Sequence, residues 1–170
     1  MKSKYLAATV AAAGLAGMAA PATAQDVTWQ RLLHADAEPQ NWLLVAGNLS
    51  GWRHSALSQI NTTNASQMVP MFAVDLCGWS CTPNGYTPTG RVASGSHPKE
   101  ETVPLVADGF VYTEDGLSKV SKIDVRSGRR GTFVWRYDPE ITTYRNRKGV
   151  ALLNDSVYVS TGDVRAVRLN

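Results

Sequence analysis

The sequence predicts an all-β fold of the propeller type, built from small antiparallel sheets that repeat along the chain. Three observations carry this. Tyr112 and Tyr158 stand 46 residues apart in matching contexts, and so do Ile123-Asp124 and Leu169-Asn170. A period in the forties with several short strands per unit is the mark of propeller blades. Each unit also opens on a hairpin: Pro104 to Ala107 and Phe110 to Thr113 flank Asp108-Gly109, a residue pair suited to a two-residue hairpin turn. No long stretch of 3.6-residue periodicity competes with these strands.

The chain begins with a pattern read as a secretory signal. Lys2 and Lys4 give a positive start, Leu6 to Ala20 is apolar and rich in alanine, and Ala22-Thr23-Ala24 is an A-x-A cleavage sequence. Residues 1–24 are therefore expected to be removed, leaving 25–170 as the N-terminal part of a propeller domain that works outside the cytoplasm, in a periplasm. The apolar run is short for a transmembrane span, and no membrane span is expected after cleavage. Of the 17 basic residues, Lys2 and Lys4 leave with the signal, so 15 remain against 14 acidic ones, a net charge of +1. That balance argues against nucleic acid or a membrane surface as a partner. At 44% hydrophobic and 18% charged, the composition is that of a folded chain and not a disordered one.

Val27 to Leu33 and Asn41 to Val45 each set a tryptophan, Trp29 and Trp42, beside apolar residues. A glycine-punctuated polar loop follows from Gly47 to Ser55. Asn61 or Thr62 is placed to cap a short helical turn through Met68, and Val69 to Leu76 reads as a strand. His34 and His54 have no partners at metal-ligand spacing and read as surface histidines. Cys77 and Cys81 are separated by three residues; they fit either a small loop disulfide or two free thiols, and too few ligands accompany them for a metal site. Cys77 to Glu100 is rich in Gly and Pro and reads as an insertion loop over one end of the fold. After the first hairpin, Lys119 to Val125 and Thr132 to Tyr137 read as strands. Val150 to Thr161 repeats the hairpin, and Val164 to Leu169 repeats the third strand. The second unit reaches only its third strand by Asn170, so the unit reads as incomplete, since closure takes at least about four blades.

Several segments then converge on one family. Val27-Thr-Trp29, Glu38-Pro-Gln-Asn-Trp42, and Gly47-Asn-x-Ser-Gly51-x-Arg53 running on to Gln59-Ile-Asn61 resemble the N-terminus of the pyrroloquinoline quinone (PQQ)-dependent alcohol dehydrogenases. Glu101-Thr-x-Pro-Leu-Val-x-Asp-Gly-x-Val-Tyr112 resembles their first complete blade. Asp124 to Gly128 followed by Trp135-Arg-Tyr-Asp-Pro139 resembles their tryptophan-docking repeat. The resemblance implies an eight-bladed propeller several times longer than this chain. It implies PQQ on the central axis with a calcium or lanthanide ion, a small alcohol oxidised to an aldehyde, and a periplasmic cytochrome c as electron acceptor.

Carried over residue by residue, the resemblance places Glu101 at a glutamate that contacts PQQ. The family's adjacent cysteines, which form a disulfide against the quinone, correspond here to Thr142 and Thr143, and Cys77 and Cys81 do not replace them. A cation near the cofactor falls at Lys148 or, with one residue inserted, at Arg147; either would face anionic quinone oxygens. The same residues also read as part of a solvated basic loop with Arg145. The metal ligands and the catalytic aspartate of the family have no counterpart here, so no catalytic residue is assigned. Two other readings stay open: a non-catalytic propeller for binding or assembly, or an inactive truncated remnant; a sugar or polyol dehydrogenase of the same superfamily is a third.

Overall fold

The hairpins form around residues held at positive φ. Asp108 and Gly109 take φ of 51° and 79°, the pair of left-handed positions that a type I′ turn needs to match strand twist. The computed structural model describes residues 25–74, 76, 102–141 and 148–170. From this turn, β1 (Leu105–Ala107) and β2 (Phe110–Glu114) pair, and β3 (Val120–Asp124) and β4 (Thr132–Tyr137) extend them into a four-stranded antiparallel sheet in chain order. A second sheet follows with β5 (Ala151–Leu153), β6 (Ser156–Ser160) and β7 (Ala166–Leu169).

The repeat seen in the sequence is present in register and backbone. Val111 pairs with Ile123 and Val157 with Leu169; Tyr112 pairs with Lys122 and Tyr158 with Arg168. Asn154 repeats the left-handed turn residue Asp108, with φ of 54°. In the next turn Ser118 and Val164 are again 46 apart and left-handed, at 63° and 68°. In the first of these turns Asp115 Oδ1 accepts the Lys119 N–H; in the second Thr161 Oγ1 accepts the Arg165 N–H. Val164 is β-branched in a conformation that costs such residues about 1–2 kcal/mol, and it is 92% exposed, so packing does not compensate the strain.

Strand alternation then decides the core. Leu105, Ala107, Phe110, Tyr112 and Val120 line one face of the first sheet, and Val150, Leu152, Val157 and Val159 line the second; all belong to one buried cluster. Lys122 lies over Phe110 and Tyr112, at 4.6 Å and 5.4 Å from their ring centres, and burial lowers its pKa. Against the opposite face of the first sheet, Phe72 and Val74 pack at Gly131, Val74 beside Ile123.

The N-terminal segment straps both hairpins. A five-residue helix α1 (Trp29–Leu33) starts at Thr28, whose hydroxyl accepts the Arg31 N–H. Val27 pairs with Asn154 and Trp42 with Val106. Between them sits Arg31, whose guanidinium donates to Glu38 Oε2 at 2.6 Å and Asp108 Oδ1 at 2.9 Å. Asn41 donates to the same Glu38 oxygen at 2.7 Å and accepts the Asp108 N–H at 2.9 Å. The bond from Arg31 holds Glu38 below the usual carboxylate range. Burial pushes Asp108 up, but donors from Arg31, Gln25 and Asn41 outweigh it and the net direction is down. Among the described residues no helix is long and apolar enough to cross a membrane.

One expectation is corrected. Residues 69–74 form no strand: Pro70 lacks an N–H, and among the described residues no strand pairs with the segment. The short turn near residue 65 is a 3₁₀ helix (Ala65–Gln67) that continues a turn opened by Asn61, as expected: its side chain accepts the Thr63 N–H and its carbonyl the Ala65 N–H, each at 2.9 Å, whereas Asn64, directly before the 3₁₀ helix, makes no side-chain cap. The helix α1 was not foreseen, being too short to show periodicity.

Arg31→Ala should cost about 2 kcal/mol, between an exposed and a buried ion pair, read as a lowered denaturant midpoint. Because Glu38 and Asp108 have depressed values, their contribution is present above the unfolded pKa values near 4 and is lost as pH falls through the folded ones; the acid limb of the stability curve should flatten in this variant. Val164→Asn, which relieves the left-handed strain, should raise stability by about 1 kcal/mol in the same measurement.

Candidate functional site

The hairpin turns occupy one end of the two sheets, so the segments that lead into β1 and β5 meet at the other. The chain enters β1 through Thr102-Val103-Pro104 and β5 through Lys148-Gly149-Val150. Gly149 has φ of +102°, and a Cβ there would stand 3.0 Å from the Val103 carbonyl oxygen and 3.8 Å from the Thr102 Cβ. The two strand starts therefore run close together, with little room for a side chain at Gly149 and a φ that favours glycine.

Further contacts fix this end. The Thr102 hydroxyl donates to the Glu114 carbonyl at 2.7 Å. The Gly162 N–H donates to the buried Ser118 hydroxyl at 3.2 Å, joining the turns of the two sheets. Lys119 pairs with Asp138 at 2.8 Å, and Arg165 donates to the Pro139 carbonyl at 3.4 Å. Burial raises the pKa of Asp115 against the opposing N–H donors of Lys119 and Leu117.

Of the residues singled out in the sequence, Lys148 is exposed and directly precedes the Gly149 contact. Glu101 immediately precedes Thr102 and lies outside the described residues, as do Thr142, Thr143 and Arg147, and the Cys77 and Cys81 pair. What is brought together is the pair of strand starts at Thr102-Val103 and Lys148-Gly149. Sequence reading missed Glu114, which is 1% exposed at this same end. Its signal was available: Phe110, Tyr112 and Glu114 alternate onto one face of β2. Among the described residues no group of three His, Cys, Asp or Glu side chains is placed to hold a metal ion.

Short antiparallel sheets, packed face to face and repeating every 46 residues, define a segment of a β-propeller. The family described as glucose/ethanol/alcohol dehydrogenase, β-propeller domain, with PQQ as its label, matches residues 42–167. The chain belongs to this family of PQQ-dependent alcohol dehydrogenases. The dehydrogenase subunit of a quinone alcohol dehydrogenase from Acetobacter aceti is 33% identical over 137 residues, covering 79% of this chain and 16% of that protein. The quinohemoprotein alcohol dehydrogenase ADH-IIG of Pseudomonas putida is 30% identical over 173 residues, covering 97% of this chain and 21% of its own. The solved structure of the quinohemoprotein alcohol dehydrogenase ADHIIG from Pseudomonas putida HK5 superposes with a TM-score of 0.60 at 26% identity, over 87% of this chain and 20% of that one. A europium-containing methanol dehydrogenase, at 20% identity and a TM-score of 0.62 over 82% of this chain and 23% of its own, shares the fold. The chain spans about a fifth of the length of these relatives.

Gly149→Ala should separate the two strand starts. The added Cβ meets a backbone oxygen and the φ is left-handed, so a loss of about 1–2 kcal/mol is expected. Thermal melts of the two proteins, compared at one pH, check it.

Proposed function

We propose that this chain is the N-terminal part of a periplasmic PQQ-dependent dehydrogenase that oxidises an alcohol to an aldehyde and passes the electrons to a cytochrome c. The carrying observation is the contact of Gly149 with Val103. It sets the segment that starts at Thr102 beside the segment that holds Lys148, and this supports reading the two strand starts as one candidate cofactor end. Family membership and the named alcohol dehydrogenases among its relatives support the reaction class.

The residues present fit an anionic quinone at this end. The strand starts leave bare backbone at Gly149, where a Cβ would crowd the Val103 carbonyl, and exposed Lys148 supplies a cation for a carboxylate or quinone oxygen. PQQ, when bound, supplies the two-electron acceptor for alcohol oxidation. By the family resemblance Glu101 would accept hydrogen bonds from the cofactor, and Lys148 would hold negative charge in place. Calcium or a lanthanide would take most of its ligands from outside the described residues, among which no group of three His, Cys, Asp or Glu side chains is placed to hold a metal ion. Export through cleavage after Ala24 sets the compartment, and the cytochrome is the acceptor available there.

The full-length protein, freed of cofactor, should oxidise short alcohols with an artificial electron acceptor only after PQQ and a metal ion are restored. Lys148→Ala should weaken PQQ binding about tenfold, or about 1.4 kcal/mol, read by tryptophan fluorescence. Alcohol oxidation that needs no PQQ would contradict the proposal.

A further inference from the structure

The polar cluster at the hairpin end is one positive charge short. Glu38 and Asp108 both face Arg31, two carboxylates to one guanidinium. Each oxygen of Asp108 is engaged: Oδ1 by Arg31 at 2.9 Å and by Asn41 at 3.4 Å, Oδ2 by Arg31 at 3.1 Å. The remaining donor on Oδ2 is the backbone nitrogen of Gln25, at 3.1 Å. Arg31 also donates to the carbonyls of Gln25 and Asp26, at 3.2 Å each, so that this nitrogen is held on both sides.

Gln25 is also the residue that follows Ala22-Thr23-Ala24. We propose that Asp108, with Arg31, is a receptor for the mature N-terminus: removal of residues 1–24 converts the Gln25 amide nitrogen into an α-ammonium that pairs with Asp108 and completes the cluster. This rests on the export reading above. Before cleavage the nitrogen is a neutral amide that offers one N–H; afterwards it offers three and a full charge. Processing thereby adds a charge-assisted bond to the strap that ties α1 to the β1–β2 hairpin. The charged and titratable groups around it are Arg31 and Glu38 from α1 and the turn after it, Asp26 beside it, Asp108 in the hairpin and Tyr112 on β2, whose pKa is raised by burial and by Asp108.

The pairing has a chemical consequence. An N-terminal glutamine with a free amine cyclises: the α-nitrogen bonds to the side-chain amide carbon, the carbon–nitrogen bond of that amide breaks, and ammonia leaves. Only the unprotonated amine attacks, so an ammonium held by Asp108 should resist the reaction. The raised pKa of the folded amine also fixes the sign of its effect on stability. The contribution is full below the unfolded value near 8 and is lost as pH rises through the folded one.

The test uses the full-length protein exported to a bacterial periplasm. Intact mass and N-terminal sequencing identify the first residue, and the pH dependence of α-amine labelling, read by peptide mass spectrometry, gives its pKa. The expected result is an uncyclised Gln25 whose amine titrates about one unit above the ordinary value of roughly 7.7–8, returning to that value in Asp108→Asn. A single glycine added before Gln25 displaces the ammonium without touching the cluster, and should give the same return if Asp108→Asn does not fold. A chain that begins at Gln25 but is cyclised, or titrates at the ordinary value, overturns the proposal and leaves export standing. A chain that retains Met1 overturns the export reading and the proposal with it.

Discussion

Burial between the two sheets is the constraint on which the rest of this structure depends. A three- or four-stranded sheet has two faces and cannot bury either alone. Leu105, Phe110, Tyr112 and Val120 share one buried cluster with Val150, Leu152, Val157 and Val159 of the second sheet and with Val27, Leu32 and Leu43 of the N-terminal segment. That packing fixes how the second sheet is placed on the first. Once it is fixed, the start of β5 must fall beside the start of β1, and Gly149 must come within van der Waals reach of Val103. The candidate site is therefore a consequence of core packing, not of any local motif.

The two ends of the sheets divide the work. At one end the hairpin turns at Asp108 and Asn154 are tied down by the N-terminal strap, through Arg31, Asn41 and Val27. A partly buried guanidinium serving two carboxylates is a strong local tie with geometric specificity. At the other end the Thr102 hydroxyl binds the Glu114 carbonyl, the Gly162 amide binds the Ser118 hydroxyl, Lys119 pairs with Asp138, and Gly149 passes close to Val103.

What the sequence made legible was whatever is local or periodic. The Asp108-Gly109 turn, the bounds of β4 at Thr132 and Tyr137, and the 46-residue repeat in register were all readable, because turn chemistry and strand alternation act over a few residues. The left-handed pair Ser118 and Val164 shows how deep the repeat runs, since the backbone is kept even where the residue is a poor choice for it. Arg31 was not legible as a hub. Its partner Asp108 lies 77 residues away, and nothing in the local pattern marks the pairing. The strand expected over Val69 to Leu76 failed because apolar residues alone do not make a strand without a partner to pair with; Phe72 and Val74 are used to cover Gly131 instead. Within the candidate site, Lys148 and Glu101 were singled out through family resemblance alone, whereas the burial of Glu114 was open to plain alternation along β2 and was passed over.

The central claim is that the strand starts of β1 and β5 face the cofactor in the full-length protein. A crystal structure of that protein reconstituted with PQQ tests it most directly. The account predicts the cofactor within hydrogen-bond reach of the segments around Glu101 and Lys148, with the Gly149 and Val103 contact intact. A quinone bound instead at the Asp108 and Asn154 end, or against sheets whose strand starts have come apart, would contradict it.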